Sequence, residues 1–223
     1  MIGMVRSFSA VVIMTAVFSL FPLSVMADEM SMPAHHDCMM APPQQARVGE
    51  KAPDFALDAV IGTESGKEFK KIGLADYRGK WLVLFFYPAD FTFVCPTEIK
   101  GFNEALPKFK GLNADVAAVS TDSKWSHLAW IKRGDLGDLK YPLLADFNKD
   151  VARRYGVLEE RAGIALRGLF IIDPQGVVQY EVIHNTDVGR SVDETMRVLE
   201  ALQTGSRCPL GWKAGQKTLG KGK

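Results

Sequence analysis

Three cysteines are the only thiols in this 223-residue chain, and their surroundings differ. Cys95 lies in Pro88-Ala-Asp-Phe-Thr92-Phe-Val-Cys95-Pro-Thr-Glu98, after the apolar run Trp81 to Tyr87 and before residues with helical apolar spacing. The run has the length and composition of a buried strand, which places Cys95 at a strand-to-helix junction. A helix start offers backbone N–H groups without intrahelical partners and the positive end of the macrodipole, and both favour a thiolate. Thr92 can turn a hydroxyl toward the sulfur, and Pro88 fixes the chain where the strand ends and can shield the site from water. Arg167, at the start of a second apolar run, is a cation that a strand end tolerates only with a partner. Against this stands the plain reading of Cys95 as a small buried residue.

Other chemistries lack their residues. There is no Cys-x-x-Cys pair, no phosphate-cradling Gly-rich loop and no zinc-ligand spacing. A cysteine protease wants a histidine beside its thiol, whereas His127 and His184 lie in other elements and read as ordinary satisfied or surface histidines. A formal net charge of +1 gives no global attraction to nucleic acid or to an anionic membrane.

The elements that must position Cys95 follow in order. Arg6, the apolar stretch Phe8 to Leu23 and Val25-Met26-Ala27 read as a secretory signal over residues 1–27, with cleavage after Ala27. Pro22 and the Val-x-Ala site favour cleavage over an uncleaved anchor. The intact mass of the exported chain checks this, and a mass that still includes Met1 to Ala27 would refute it. Export, to a periplasm or the medium, would place the thiols in an oxidising compartment, where a reduced cysteine needs a dedicated electron donor.

Residues 28–46 form an aperiodic linker rich in Met, His and Pro. His35, His36 and Cys38, with the methionines around them, are donors that a soft ion such as Cu(I) selects, but no spacing enforces a geometry and a Met-rich tail without a ligand is the favoured reading. Residues 47–205 read as one α/β domain and residues 206–223 as a C-terminal arm.

Within the domain, strands are expected from Pro53 to Leu57, Trp81 to Tyr87, Val116 to Val119 and Tyr141 to Asp146. A hairpin over Leu169 to Ile183 turns at Asp173-Pro-Gln-Gly176. The helix from Cys95 should kink or divide at Pro107. Thr121 or Asp122 should cap the next helix, with Trp125, Leu128, Ala129 and Ile131 inward. Ser191-Val-Asp-Glu194 is a capping box for the last helix. Strands alternating with helices predict a mixed sheet with helices on both faces. The arm, with Cys208 and Trp212, needs something to pack against.

The stretch Phe85 to Glu98 resembles the active-site signature of the peroxiredoxins, specifically the typical two-cysteine group. Arg167 to Asp173, Val188 to Asp193 and Cys208-Pro-Leu-Gly-Trp212 match further family stretches in order. The resemblance runs from about Val48 to Leu219 and implies a thioredoxin-like fold. It implies that Cys95 is the peroxidatic thiolate, with Thr92 and Arg167 holding the peroxide, Pro88 excluding solvent and Glu98 orienting the arginine. A carboxylate serving the helix dipole accounts for Glu98 as well. By the same resemblance Cys208 is the resolving thiol, supplied by the other subunit of a homodimer, with a ring of five such dimers as the larger assembly. Hydrogen peroxide or small organic hydroperoxides are then the substrates and a thioredoxin-like protein the reductant, with no metal or organic cofactor. Rival readings are resolution by an outside thiol, and an exported chaperone or metal-binding protein with an incidental thiol. Peroxide-sensitive relatives carry Gly-Gly-Leu-Gly and a C-terminal Tyr-Phe pair. This chain has Gly134-Asp-Leu-Gly137 and no such pair, so Cys95 is expected to resist overoxidation.

Overall fold

The structure is a computed structural model describing residues 45–221. The signal segment, His35, His36 and Cys38 lie outside the described residues. The sheet is built around β3 (Trp81–Phe86), whose side chains alternate between two cores. Leu82, Leu84 and Phe86 face one, while Val83, Phe85 and the following Tyr87 face the other. Because both faces are covered, the strand is apolar throughout rather than alternating.

Before it come β1 (Ala56–Val60) and β2 (Phe69–Gly73), paired as an antiparallel hairpin, and a 3₁₀ turn at Leu74–Tyr77. After it come α1 (Cys95–Gly111), β4 (Ala114–Ser120), α2 (Lys124–Arg133), β5 (Leu143–Ala145) and α3 (Asp150–Arg154). A small ladder of β6 (Leu158–Glu159) with β7 (Ile164–Ala165), which the sequence pattern did not suggest, precedes β8 (Arg167–Ile172). The chain then makes β9 (Val178–His184) and α4 (Val192–Gln203).

The seven-stranded sheet has the order β2-β1-β5-β4-β3-β8-β9. β3 pairs parallel to β4 and antiparallel to β8, and β8 and β9 form the expected hairpin. Ile99, Phe102, Leu106 and Phe109 of α1, Leu199 of α4 and Trp130 of α2 cover one face. Val151 and Ala152 of α3, with Phe55 and Tyr155, cover the other. This is the expected thioredoxin-like arrangement, a mixed sheet with helices on both faces. Among the described residues no helix is long and apolar enough to cross a membrane.

Several local expectations change. α1 runs undivided through Pro107, because only the one bond a proline cannot donate is lost and the aromatic residues on both sides stay packed. The cap of α2 is Ser123, whose Oγ accepts from Ser126 N at 3.2 Å. Asp122 instead accepts from Asp90 N. The buried side of α2 is His127, Leu128 and Trp130, with Trp125 64% exposed and Ala129 also outward. His127, which the apolar spacing did not place inward, takes part of the buried face. Ser191 Oγ does accept from Glu194 N, but Glu194 pairs with Arg197 rather than closing the box. The arm finds a seat on its own chain: Trp212 is 3% exposed, its indole donates to Gln216 O, and its carbonyl accepts from Arg197 Nη1.

Candidate active site

Cys95 is the first residue of α1, with Pro96 at the N-terminal position where its missing N–H is harmless, and its side chain is fully buried. The end of β3 and the start of β8 bring two further groups to it. Arg167 opens β8 at 2% exposure, an expensive place for a guanidinium unless its hydrogens are used. Its Nη1 lies 3.5 Å from Cys95 Sγ and 2.5 Å from Glu98 Oε2, and its Nε donates to Thr186 O at 2.7 Å.

Glu98, one turn into α1, is the hub of the cluster, and a second arginine completes it. Arg190 donates from Nε to Glu98 Oε1 at 2.7 Å, from Nη2 to Oε2 at 2.9 Å and from its backbone N to Oε1 at 2.8 Å. Its Nη1 donates to the carbonyls of Phe86 and Gly168, which ties the ends of β3 and β8 into the same cluster. Burial alone would push Glu98 up, but the hydrogen bonds and charge of Arg190, with the charge of Arg167, outweigh it and hold the carboxyl below its usual range. Two guanidiniums against one carboxylate leave a net positive charge beside Sγ, the setting in which a thiolate serves as nucleophile.

Pro88 is buried at the end of the strand and Thr92 is half-buried in the loop before the thiol. Thr92 Oγ1 donates to Ala89 O at 3.0 Å, so its proton is committed to the loop rather than to Sγ, and its oxygen remains an acceptor. Cys208 is half-buried on the arm, with Sγ 3.6 Å from Thr204 Oγ1 and 3.8 Å from Ala201 O at the end of α4. The two thiols are not joined within the single chain. Among the described residues no group of three or more His, Cys, Asp or Glu could hold a metal ion.

The structure therefore gathers Cys95, Glu98 and Arg167, frames them with Pro88 and Thr92, and leaves Cys208 on the arm. Arg190 was missed as a site residue. It sits in a loop just before the Ser191 cap, where no periodicity marks it, and only the matched stretch Val188 to Asp193 pointed there.

The pattern of the AhpC/TSA family matches residues 48–181, most of the folded chain. The chain belongs to the AhpC/TSA family. Among its relatives, the 2-Cys peroxiredoxin BAS1 of Spinacia oleracea is 54% identical over 181 residues, covering 77% of this chain and 67% of that protein. The same-named protein of Hordeum vulgare is 52% identical over 181 residues, covering 77% and 84%. Of solved structures, the reduced 2-Cys peroxiredoxin of Plasmodium vivax superposes with a TM-score of 0.72 at 38% identity, over 77% of this chain and 91% of that one. The Mycobacterium tuberculosis AhpC gives 0.69 at 37%, over 76% and 99%. The chain is accordingly a peroxiredoxin, and its activity is that of a thiol peroxidase.

Proposed function

We propose that Cys95 reduces hydrogen peroxide and small organic hydroperoxides and that Cys208 of a second copy resolves the product. The observation that carries this is the buried Sγ held 3.5 Å from Arg167 Nη1 in a cluster of net positive charge. The Cys95 thiolate attacks the terminal peroxide oxygen and the O–O bond breaks. The attacked oxygen keeps its own hydrogen and becomes the sulfenic acid, while the other leaves as hydroxide or alkoxide and takes up the one proton the thiol gave up on ionising, to become water or an alcohol. Arg167 steadies the charge that develops between sulfur and oxygen, the Thr92 oxygen accepts from the peroxide O–H, and Pro88 keeps water out. Glu98 and Arg190 hold Arg167 in place without touching the peroxide.

The Cys208 thiol then attacks the Cys95 sulfenic sulfur, forms a disulfide and releases water. A dithiol protein of thioredoxin type supplies the two electrons and two protons that restore both thiols. A homodimer is required by this scheme, and a ring of five dimers is the proposed larger assembly. The signal over residues 1–27 supports export, to a periplasm or beyond.

Cys208→Ser tests the resolving step. The variant is expected to make no disulfide-linked dimer on a non-reducing gel after peroxide. Under excess peroxide its Cys95 accumulates as sulfinic acid, while the parent chain stops at the disulfide, as its Gly134-Asp-Leu-Gly137 loop leads us to propose. A Cys208→Ser chain that still forms the dimer, or turns over unimpaired with a dithiol donor, would transfer resolution to another thiol.

A further inference from the structure

The loop between β3 and α1, which carries Pro88 and Thr92 and delivers Cys95, is gripped from outside by a cluster the mechanism above does not use. Asp90 is buried within it, its side chain 1% exposed. Its Oδ1 accepts from Tyr87 OH at 2.9 Å and its Oδ2 from Ser126 Oγ at 2.7 Å. Its backbone N donates to Asp122 Oδ2 at 3.0 Å. His127, fully buried on α2, places Nδ1 2.8 Å from Asp90 Oδ2 and Nε2 3.2 Å from Leu144 O in β5.

Both ring nitrogens of His127 thus face acceptors. A carbonyl oxygen can only accept, and the Asp90 oxygens already receive two hydroxyl protons. Burial, reinforced by the adjacent Asp90 charge, holds Tyr87 well above its usual range, so its phenol stays a donor. Opposite an ionised Asp90 a neutral imidazole, with a single N–H, makes one of these bonds and the imidazolium makes both, and the Tyr87 hydroxyl also lies 3.3 Å from Nδ1. The other ionisable groups that meet this cluster are Tyr87 from the end of β3 and Asp122 from the β4–α2 connection, the latter bound to Asp90 N and Ser120 Oγ.

The residue after Asp90 is strained in a way that needs such a grip. Phe91 is a non-glycine residue at φ 57°, in the left-handed region, a conformation that costs on the order of 1 kcal/mol or more. Its ring lies 5.9 Å from Trp130 and carries the Arg133 guanidinium 4.6 Å above it. Trp130 Nε1 and Arg133 both donate to Asp135, the residue that departs from Gly-Gly-Leu-Gly. Two consecutive residues, Asp90 and Phe91, are therefore fastened to α2, and the chain leaves them for Thr92 and Cys95. An ion pair buried this deeply adds little stability compared with apolar packing, which argues for a role in geometry.

We propose that the buried Asp90–His127 ion pair positions the loop that presents Thr92 and Cys95 to the peroxide. Neither residue touches the sulfur, so both are positioning residues. The proposal rests on Cys95 being the attacking thiol. Loss of the pair leaves the loop free to relax Phe91, shifting the Thr92 oxygen relative to Sγ while the thiol itself stays chemically competent.

The test uses the full, reduced chain at a temperature where circular dichroism shows each variant folded. The rate constant of Cys95 with hydrogen peroxide is read by stopped-flow tryptophan fluorescence, and its alkylation by iodoacetamide is read by mass spectrometry. Alkylation needs the thiolate but not the peroxide-holding groups. In Asp90→Asn and His127→Gln the peroxide rate is expected to fall by about 10- to 100-fold with alkylation little changed, since a small misplacement costs rate without abolishing chemistry. Ser126→Ala, which removes one donor and leaves the ion pair, should fall between. Nitrogen-15 spectra of the folded parent should show both His127 ring nitrogens protonated. Unchanged peroxide rates, or alkylation falling in step with them, would overturn the proposal. If the two ion-pair variants do not fold, an unslowed Ser126→Ala or a singly protonated His127 in the parent overturns it alone. A Cys95→Ser chain that kept peroxide turnover would instead remove the reading on which the proposal rests.

Discussion

Cys95→Ser is expected to lose peroxide turnover altogether, because a hydroxyl at the same place is ionised far less readily and attacks a peroxide oxygen far more slowly than a thiolate. The loss should be complete in a coupled assay with a dithiol donor, and the variant should unfold at the same denaturant concentration as its parent or higher. The buried thiol contributes packing that a serine nearly reproduces, and Arg167 lies within reach of the new hydroxyl as it is of Sγ. Activity lost together with the fold would not count in favour of the chemical role, so the unfolding curve is part of the experiment. Residual turnover would pass the chemistry to Cys38 or Cys208.

Glu98→Gln carries the second large effect, and here stability and activity fall together. The carboxylate is 2% exposed and accepts from Arg167 and from three Arg190 donors. Glutamine keeps the shape but places an NH₂ against a guanidinium and leaves two buried cations without a counter-charge. Breaking a buried ion pair from one side costs about 3–5 kcal/mol, read here by urea unfolding at neutral pH. Arg167 loses its anchor, and a misplaced catalytic cation lowers the peroxide rate constant by about 100-fold.

The pH dependence has a definite sign. The folded protein holds Glu98 below its usual range. Its contribution is therefore fully present above the unfolded glutamate value of about 4.3, and it disappears as the pH falls through the lower folded value. The parent chain should lose stability in that acid window, and Glu98→Gln should show a flatter profile there. An equal acid slope in both would mean that Glu98 is not the group whose protonation matters.

The parts of the site that a linear pattern can carry are legible in the sequence. The apolar run from Trp81 and the spacing of Ile99, Phe102, Leu106 and Phe109 put Cys95 at the head of a helix, where it lies. Arg167 was legible as a buried cation because it opens an apolar strand, and Glu98 as its partner only through the resemblance. Arg190, Asp90 and His127 were not legible, because their roles are made by contacts between distant segments: Arg190 meets Glu98 from the loop after β9, and His127 meets Asp90 from α2. Of the two readings of His127, surface or satisfied, the buried and bonded one holds, and the expected face of α2 put Trp125 inside in place of Trp130. The arm was misjudged for a related reason. Trp212 is buried through its contacts with Arg197 and Gln216, and neither partner is marked by composition or spacing.

Whether Cys95 takes the peroxide oxygen is measured most directly by trapping that product. Reduced Cys208→Ser protein is given one equivalent of hydrogen peroxide in the presence of dimedone, digested and mapped by mass spectrometry. The adduct is expected on the peptide containing Cys95, in proportion to the peroxide consumed. Peroxide consumed with Cys95 unlabelled, or with the adduct on Cys38, would contradict it.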